Sequence, residues 1–216
     1  MSAVQQKYMK KITFFLLSSF LLFSCVPATQ TPSQVVTVYA TSAAEPWLSE
    51  LFACANDFSV VLNVNAESPE IYLRLGEPEM IVSPVYQIDE EEILIVTQRE
   101  SAVQNLTLAE AQELFAQGSL SAQVWVYASE ADVQILFDQL VMKERSVSSS
   151  ARVAFSVQNM SEVLNSESAA IGILPRQWLT SNLREVFSAG RVPVLAVTKS
   201  EPQGAVLELL SCLQGN

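Results

Sequence analysis

"NLTLAEAQELFAQGSLSAQVWVYASEADVQILFDQLVM" fills residues 105–142 and carries one full alternation of local patterns. "TLAEAQELFAQG" (107–118) opens with Thr107 and Glu110 at capping-box spacing and closes on Gly118, a residue suited to ending a helix. "VWVYA" (124–128) follows, a β-branched and aromatic run of the kind that fits a strand covered on both faces. "SEADVQILFDQLVMKE" (129–144) repeats the capping spacing with Ser129 and Asp132 and returns to helical periodicity. Helix, buried strand and helix in succession are the unit of an α/β fold.

The same alternation extends outward. Strands are expected at 35–40, 60–65, 71–75, 93–98, 153–157, 171–174 and 192–197, several of them nearly continuous apolar runs. Helical patterns lie between them: "EPWLSELFACAN" (45–56), with Trp47, Leu48, Leu51, Phe52 and Ala55 on one face, then "NMSEVLNSE" (159–167) and "GAVLELLSCLQ" (204–214). The expectation is α/β with right-handed crossovers, and no internal repeat is convincing. The acidic run "IDEEEILIVTQRE" (88–100) marks either a passage between two lobes or a solvated strand start. "KERSVSSSAR" (143–152) reads as a mobile surface loop.

Before these elements stands "MKKITFFLLSSFLLFSC" (9–25). Its apolar run Ile12–Phe23 is 12 residues long, short of the roughly 20 that cross a bilayer core. Lys7, Lys10 and Lys11 in front of it complete the layout of a secretory signal peptide. Leu22-Phe23-Ser24 followed by Cys25 resembles the lipobox of bacterial lipoproteins, which implies lipidation of Cys25 and cleavage before it. Several acyl chains meet the requirement for stable anchoring. An uncleaved anchor or a cut elsewhere are the alternatives, and Met9 is an alternative start. "VPATQTPSQ" (26–34) then reads as a flexible tether, so an exported, lipid-anchored protein facing the periplasm or cell exterior is expected.

Composition narrows the function. Without residues 1–24 the chain has 9 basic and 23 acidic residues, a formal charge of −14. That balance argues against nucleic acid and against electrostatic docking on anionic lipid. The sequence contains 0 histidines, which removes Ser-His-Asp and Cys-His catalysis and His-ligated zinc. Acidic pairs such as Glu77/Glu79 and Asp89/Glu90 read as solvated surface, so no enzyme, cofactor or metal is expected. Cys54 and Cys212 remain as an even pair, either a disulfide or two inert small hydrophobes, with an oxidising compartment favouring the bridge. A bridge would close a loop of more than 150 residues, worth roughly 4–5 kcal/mol of chain entropy, and would make the first and last helices neighbours.

The 105–142 stretch, with "MSEVLNSESAAIGILPRQWL" (160–179) and "VVTVYATSAAEPWLSELFACAN" (35–56), resembles the phosphate-binding-protein-like branch of the type II periplasmic solute-binding proteins. The order of the segments carries the likeness, which extends loosely over 35–214. It implies two α/β lobes joined by crossing strands, with a ligand cleft between them: lobe one 35–93 plus 190–216, lobe two 94–189. Such proteins hold an anion with helix-start N–H groups and hydroxyls. The resemblance therefore implies Thr41 and Ser42 in "ATSAAEP", and Ser129 in "YASEAD", as ligand-binding residues, with Arg74 as the nearest positive group. Residue by residue, the alternatives are ordinary loop polarity for Thr41 and Ser42, an N-cap for Ser129 and an exposed strand arginine for Arg74.

The implied function is a monomeric, non-enzymatic substrate-binding component of an ABC-type importer, partnered by its permease, for phosphate or another small oxyanion. The loops read "TSAAE" and "SEA" where phosphate binders of that branch carry a Gly-rich loop and "SGT", and Glu45 and Glu130 stand beside them. A different small solute fits as well. So does a lipoprotein of the same fold that has lost its ligand and serves as a scaffold or signalling partner.

Overall fold

The computed structural model describes residues 34–78 and 82–215; the expected signal peptide, Cys25 and the expected tether up to Ser33 lie outside the described residues. In chain order the elements are β1 (Val35–Ala40), α1 (Glu45–Asp57), β2 (Val61–Val64), β3 (Ile71–Leu75), β4 (Val85–Gln98), α2 (Leu108–Gln117) and β5 (Gln123–Tyr127). Then come α3 (Asp132–Phe137), which runs on as a π turn over Asp138–Met142, β6 (Arg152–Ala154), α4 (Val157–Ser166), β7 (Ala170–Pro175), β8 (Leu183–Thr198) and α5 (Ala205–Gly215).

All eight strands form one sheet in the order β2-β1-β3-β8-β4-β7-β5-β6. β2 and β3 flank β1 in parallel, and β6 and β7 flank β5 in parallel. Between these halves β4 and β8 run antiparallel to each other and to their outer neighbours. Each parallel half follows from its buried alternation: Ile71, Leu73 and Leu75 of β3 are fully covered, and every residue of β7 is buried.

Helix α1 turns Trp47, Leu51, Cys54 and Ala55 inward at helical spacing, and α5 meets it with Leu209, Leu210 and Leu213. Cys54 and Cys212 form a disulfide across these two helices, 158 residues apart in sequence. In the other half Phe115 of α2 and Phe137 of α3 pack with ring centroids 4.7 Å apart. The capping box at α2 is complete, with Glu110 N–H donating to Thr107 Oγ1 at 3.3 Å and Thr107 N–H to Glu110 Oε2 at 2.7 Å.

Three expectations need correction. The strand expected at 153–157 ends at Ala154, because Ser156 leaves the sheet to cap α4, accepting from Asn159 N–H at 3.0 Å. The helix expected from Ser129 begins only at Asp132, capped by Ala131 without a side-chain bond; Ser129 Oγ instead donates to Glu130 Oε2 at 3.2 Å. The strands expected at 93–98 and 192–197 are the second halves of β4 and β8, which start at Val85 and Leu183. The acidic Asp89–Glu92 pairs in register with Val194–Arg191, so that run is the passage of β4 along β8. Backbone pairing holds it there without an apolar alternation that would announce a strand.

Candidate functional site

The sheet topology selects the place to look. From β1 the chain goes through α1 to β2 on one side and returns to β3 on the other. From β5 it goes through α3 to β6 on one side and through α4 to β7 on the other. In open α/β sheets such reversals open a crevice outside the carboxyl ends of the strands, where ligands bind. Here the two crevices coincide. Leu75 at the end of β3 pairs with Val194, and Pro175 at the end of β7 pairs with Ile93, so both sets of carboxyl ends converge on the middle of the β4–β8 pair.

Three donors meet one carboxylate at that point. Thr41, the residue after β1, donates its hydroxyl to Asp132 Oδ2 at 2.7 Å. The Leu75 N–H donates to the same oxygen at 2.9 Å. Val133 N–H donates to Asp132 Oδ1 at 2.9 Å. Asp132 is only 6 % exposed, so these are charge-assisted bonds shielded from solvent. The β1–α1 turn is itself fixed: Thr41 N–H donates to Leu73 O and Ala44 N–H to Thr41 O, both at 3.0 Å.

The surroundings bring the two halves close. Gly76 follows β3 with φ +66°, and a Cβ there would lie 2.5 Å from Leu136 Cδ2 of α3. Only glycine provides both the left-handed backbone and the close approach. Burial first, then the Asp132 charge, pushes the Tyr127 phenol well above its ordinary value. The Tyr72 phenol is also raised, by burial first, against Arg74 and with a contribution from Asp132. Both tyrosines are therefore neutral neighbours of the carboxylate.

Of the residues singled out in the sequence, Thr41 lies at this junction and Ser42 is half-buried in the adjoining turn. Arg74 is half-buried, donates Nε–H to Leu75 O at 3.4 Å, and lines a cavity of about 570 Å³ between the end of β3, α3 and β8. Ser129 is exposed and is not brought to Thr41 by any bond among the described residues. The reading of the sequence missed Asp132, which it took for part of a cap, and the Leu75 amide, a backbone group with no side-chain signature.

A second carboxylate takes the donors at the end of β7. Glu91, 4 % exposed, accepts from Arg176 N–H at 3.1 Å and Gln177 N–H at 3.4 Å, as well as from Glu92 N–H at 2.7 Å. Burial raises its carboxyl above the ordinary value, against these N–H groups. Its neighbour Glu92 is lowered, chiefly by Arg176, whose Nε lies 2.6 Å away.

Neither a protein-family profile nor a curated protein sequence matches the chain. Solved structures do. One is described as a candidate phosphate ABC transporter substrate-binding protein from Clostridium perfringens with bound phosphate: TM-score 0.73, 14% identity, 83% of this chain and 93% of that one covered. An ABC-type phosphate transport receptor from Vibrio cholerae gives TM-score 0.62 at 12% identity, covering 84% and 93%. The fold is the two-lobed type II periplasmic-binding-protein fold. The same fold occurs in the reduced regulatory domain of OxyR2 from Vibrio vulnificus, TM-score 0.65 at 9% identity, covering 85% and 95%. The Thr41–Asp132–Leu75 junction is the seam where the β1-centred trio of strands meets α3, the helix that follows β5.

Chemically, the seam pairs two donors with an anionic oxygen of the chain itself, Asp132 Oδ2. A hydroxyl after β1 and a main-chain N–H at the end of β3 converge on the Asp132 carboxylate at the start of α3, and both Arg74 and Glu77 line the adjoining cavity.

Proposed function

We propose that this chain is an exported, lipid-anchored solute-binding protein that works with an ABC-type importer and takes a small solute with an anionic group between its lobes. The observation that carries this reading is the convergence of Thr41 Oγ1 and Leu75 N–H on one anionic oxygen at the carboxyl ends of β1 and β3. The Lys-led apolar run ending at Cys25 supports export and anchoring. Lobe one comprises 35–93 and 190–216 and lobe two 94–189, with Ile93 and Gly190 paired at the boundary. The role is binding and handing over, without catalysis.

The test is a thermal-shift panel of phosphate, sulfate, molybdate, tungstate, amino acids and small sugars. A ligand at 100 times its dissociation constant stabilises the fold by about 2.7 kcal/mol, a shift of several degrees. The Asp132 carboxylate in the seam favours a second reading, a lipoprotein of this fold that has given up its ligand and acts as a scaffold or signalling partner. A flat response from folded protein across the whole panel selects it.

A further inference from the structure

We propose that Asp132 is an internal stand-in for the anionic ligand: its carboxylate occupies the anion position, latches lobe two onto lobe one, and sets the affinity for any solute that must displace it. This rests on the crevice reading above and adds to it the residue that controls occupancy.

Asp132 belongs to α3 of lobe two, yet two of its three bonds come from lobe one, from Thr41 after β1 and Leu75 at the end of β3. Neither donor is part of a helix start. One is a side-chain hydroxyl and the other a strand N–H left over at the sheet's carboxyl edge, so together they form a site that exists without α3. A main-chain N–H in a buried seam must find an acceptor. When Asp132 withdraws, water or a solute anion has to take its place, and a solute with a single charged oxygen can accept from both donors. The cavity beside the seam, with Gly76 and Leu136 in its wall, gives a displacing anion room, and its two charged wall residues are Arg74 and Glu77. The stand-in also explains the chain's acidic seam. Glu91 answers the N–H groups at the end of β7 in the same manner, so each lobe's strand-end donors are met by a carboxylate of the chain itself.

The test uses the full chain in detergent and the variant Asp132→Ala, which removes the carboxylate and leaves a space the size of formate. The probes are formate, acetate, inorganic phosphate and sulfate, read by melting temperature and by hydrogen exchange of the Leu75 amide. The variant is expected to melt about 6–10 °C lower and to exchange Leu75 about tenfold faster. Formate or one of the oxyanions should restore both in the variant at concentrations that leave the wild type unmoved. A variant that gains no response to any of the four overturns the proposal, whatever the wild type does. A variant that gains one, beside a wild type flat across every solute, supports the stand-in while the solute-binding reading fails. Should Asp132→Ala not fold, Asp132→Asn keeps the shape and turns one acceptor into a donor. Faster Leu75 exchange in that variant supports the latch, and exchange as in the wild type overturns it.

Discussion

After β1 the chain turns through Thr41–Ala44 into α1, and after β5 it turns through Ala128–Ala131 into α3. Both corners leave the central strand of a parallel trio, and both arrive at the same seam. The first presents a hydroxyl; the second presents a carboxylate that accepts from it at 2.7 Å. Two hydroxyl corners facing each other, as Thr41 and Ser129 would have made, leave space and donors for an external anion. Shifting the helix start from Ser129 to Asp132 converts the second corner from donor to acceptor, and the pair closes on itself. Fold and occupancy separate here: the architecture is the two-lobed type II fold, while one side chain, Asp132, takes the donors at the junction.

The two halves of the sheet also differ in what holds them, and that difference gives the largest expected effect. The β1-centred half of the sheet has α1 tied to α5 by Cys54–Cys212, and the β5-centred half has no disulfide among the described residues. Cys54→Ser should cost about 5 kcal/mol in urea unfolding, the chain entropy of a 158-residue loop. An unchanged midpoint would show that the β1-centred half needs its cross-link no more than the β5-centred half does. Next comes Gly76→Ala, at about 2 kcal/mol, from the left-handed φ of +66° and a Cβ forced to 2.5 Å from Leu136 Cδ2. It should weaken the closure of the two corners, and a neutral result would mean that α3 does not press on β3.

The pH dependence separates the two neighbouring carboxylates of β4. Glu91 is raised by burial, so the folded state holds its proton more tightly than the unfolded chain does. Its contribution to stability is complete below the ordinary value of 4.5 and is lost as pH climbs through the raised folded value. Urea midpoints from mildly acidic to neutral pH should show that slope, and Glu91→Gln should flatten it. Glu92, lowered chiefly by Arg176, has the opposite sign: its contribution is present above 4.5 and disappears as pH falls. The smallest effect belongs to Ser129→Ala. An exposed hydroxyl bonded, among the described residues, to Glu130 should change stability by less than about 0.5 kcal/mol and leave the closure of the corners as it was. A larger loss would return Ser129 to the site.

Much of the fold was legible because buried strands advertise themselves as apolar runs, and because Thr107 with Glu110 and Gly118 bracket α2 with local chemistry. The cysteine pair likewise placed α1 beside α5. What stayed hidden depends on distant partners. Val85–Glu92 is strand only because β8 lies alongside it, and its acidic side chains carry no alternation. The site was half legible. Thr41 stands out as a hydroxyl between a strand and a helix. The Leu75 amide has no letter of its own, and Asp132 in a Ser-x-x-Asp spacing reads as a cap until the three-dimensional start of α3 is known.

The most direct measurement is a double-mutant cycle between the corners, Thr41→Val against Asp132→Asn, by urea unfolding. A buried bond between a hydroxyl and a carboxylate should appear as a coupling of about 1–2 kcal/mol, with the double variant less destabilised than the sum of the singles. Additivity within about 0.3–0.5 kcal/mol would contradict it and leave the seam open to an outside ligand.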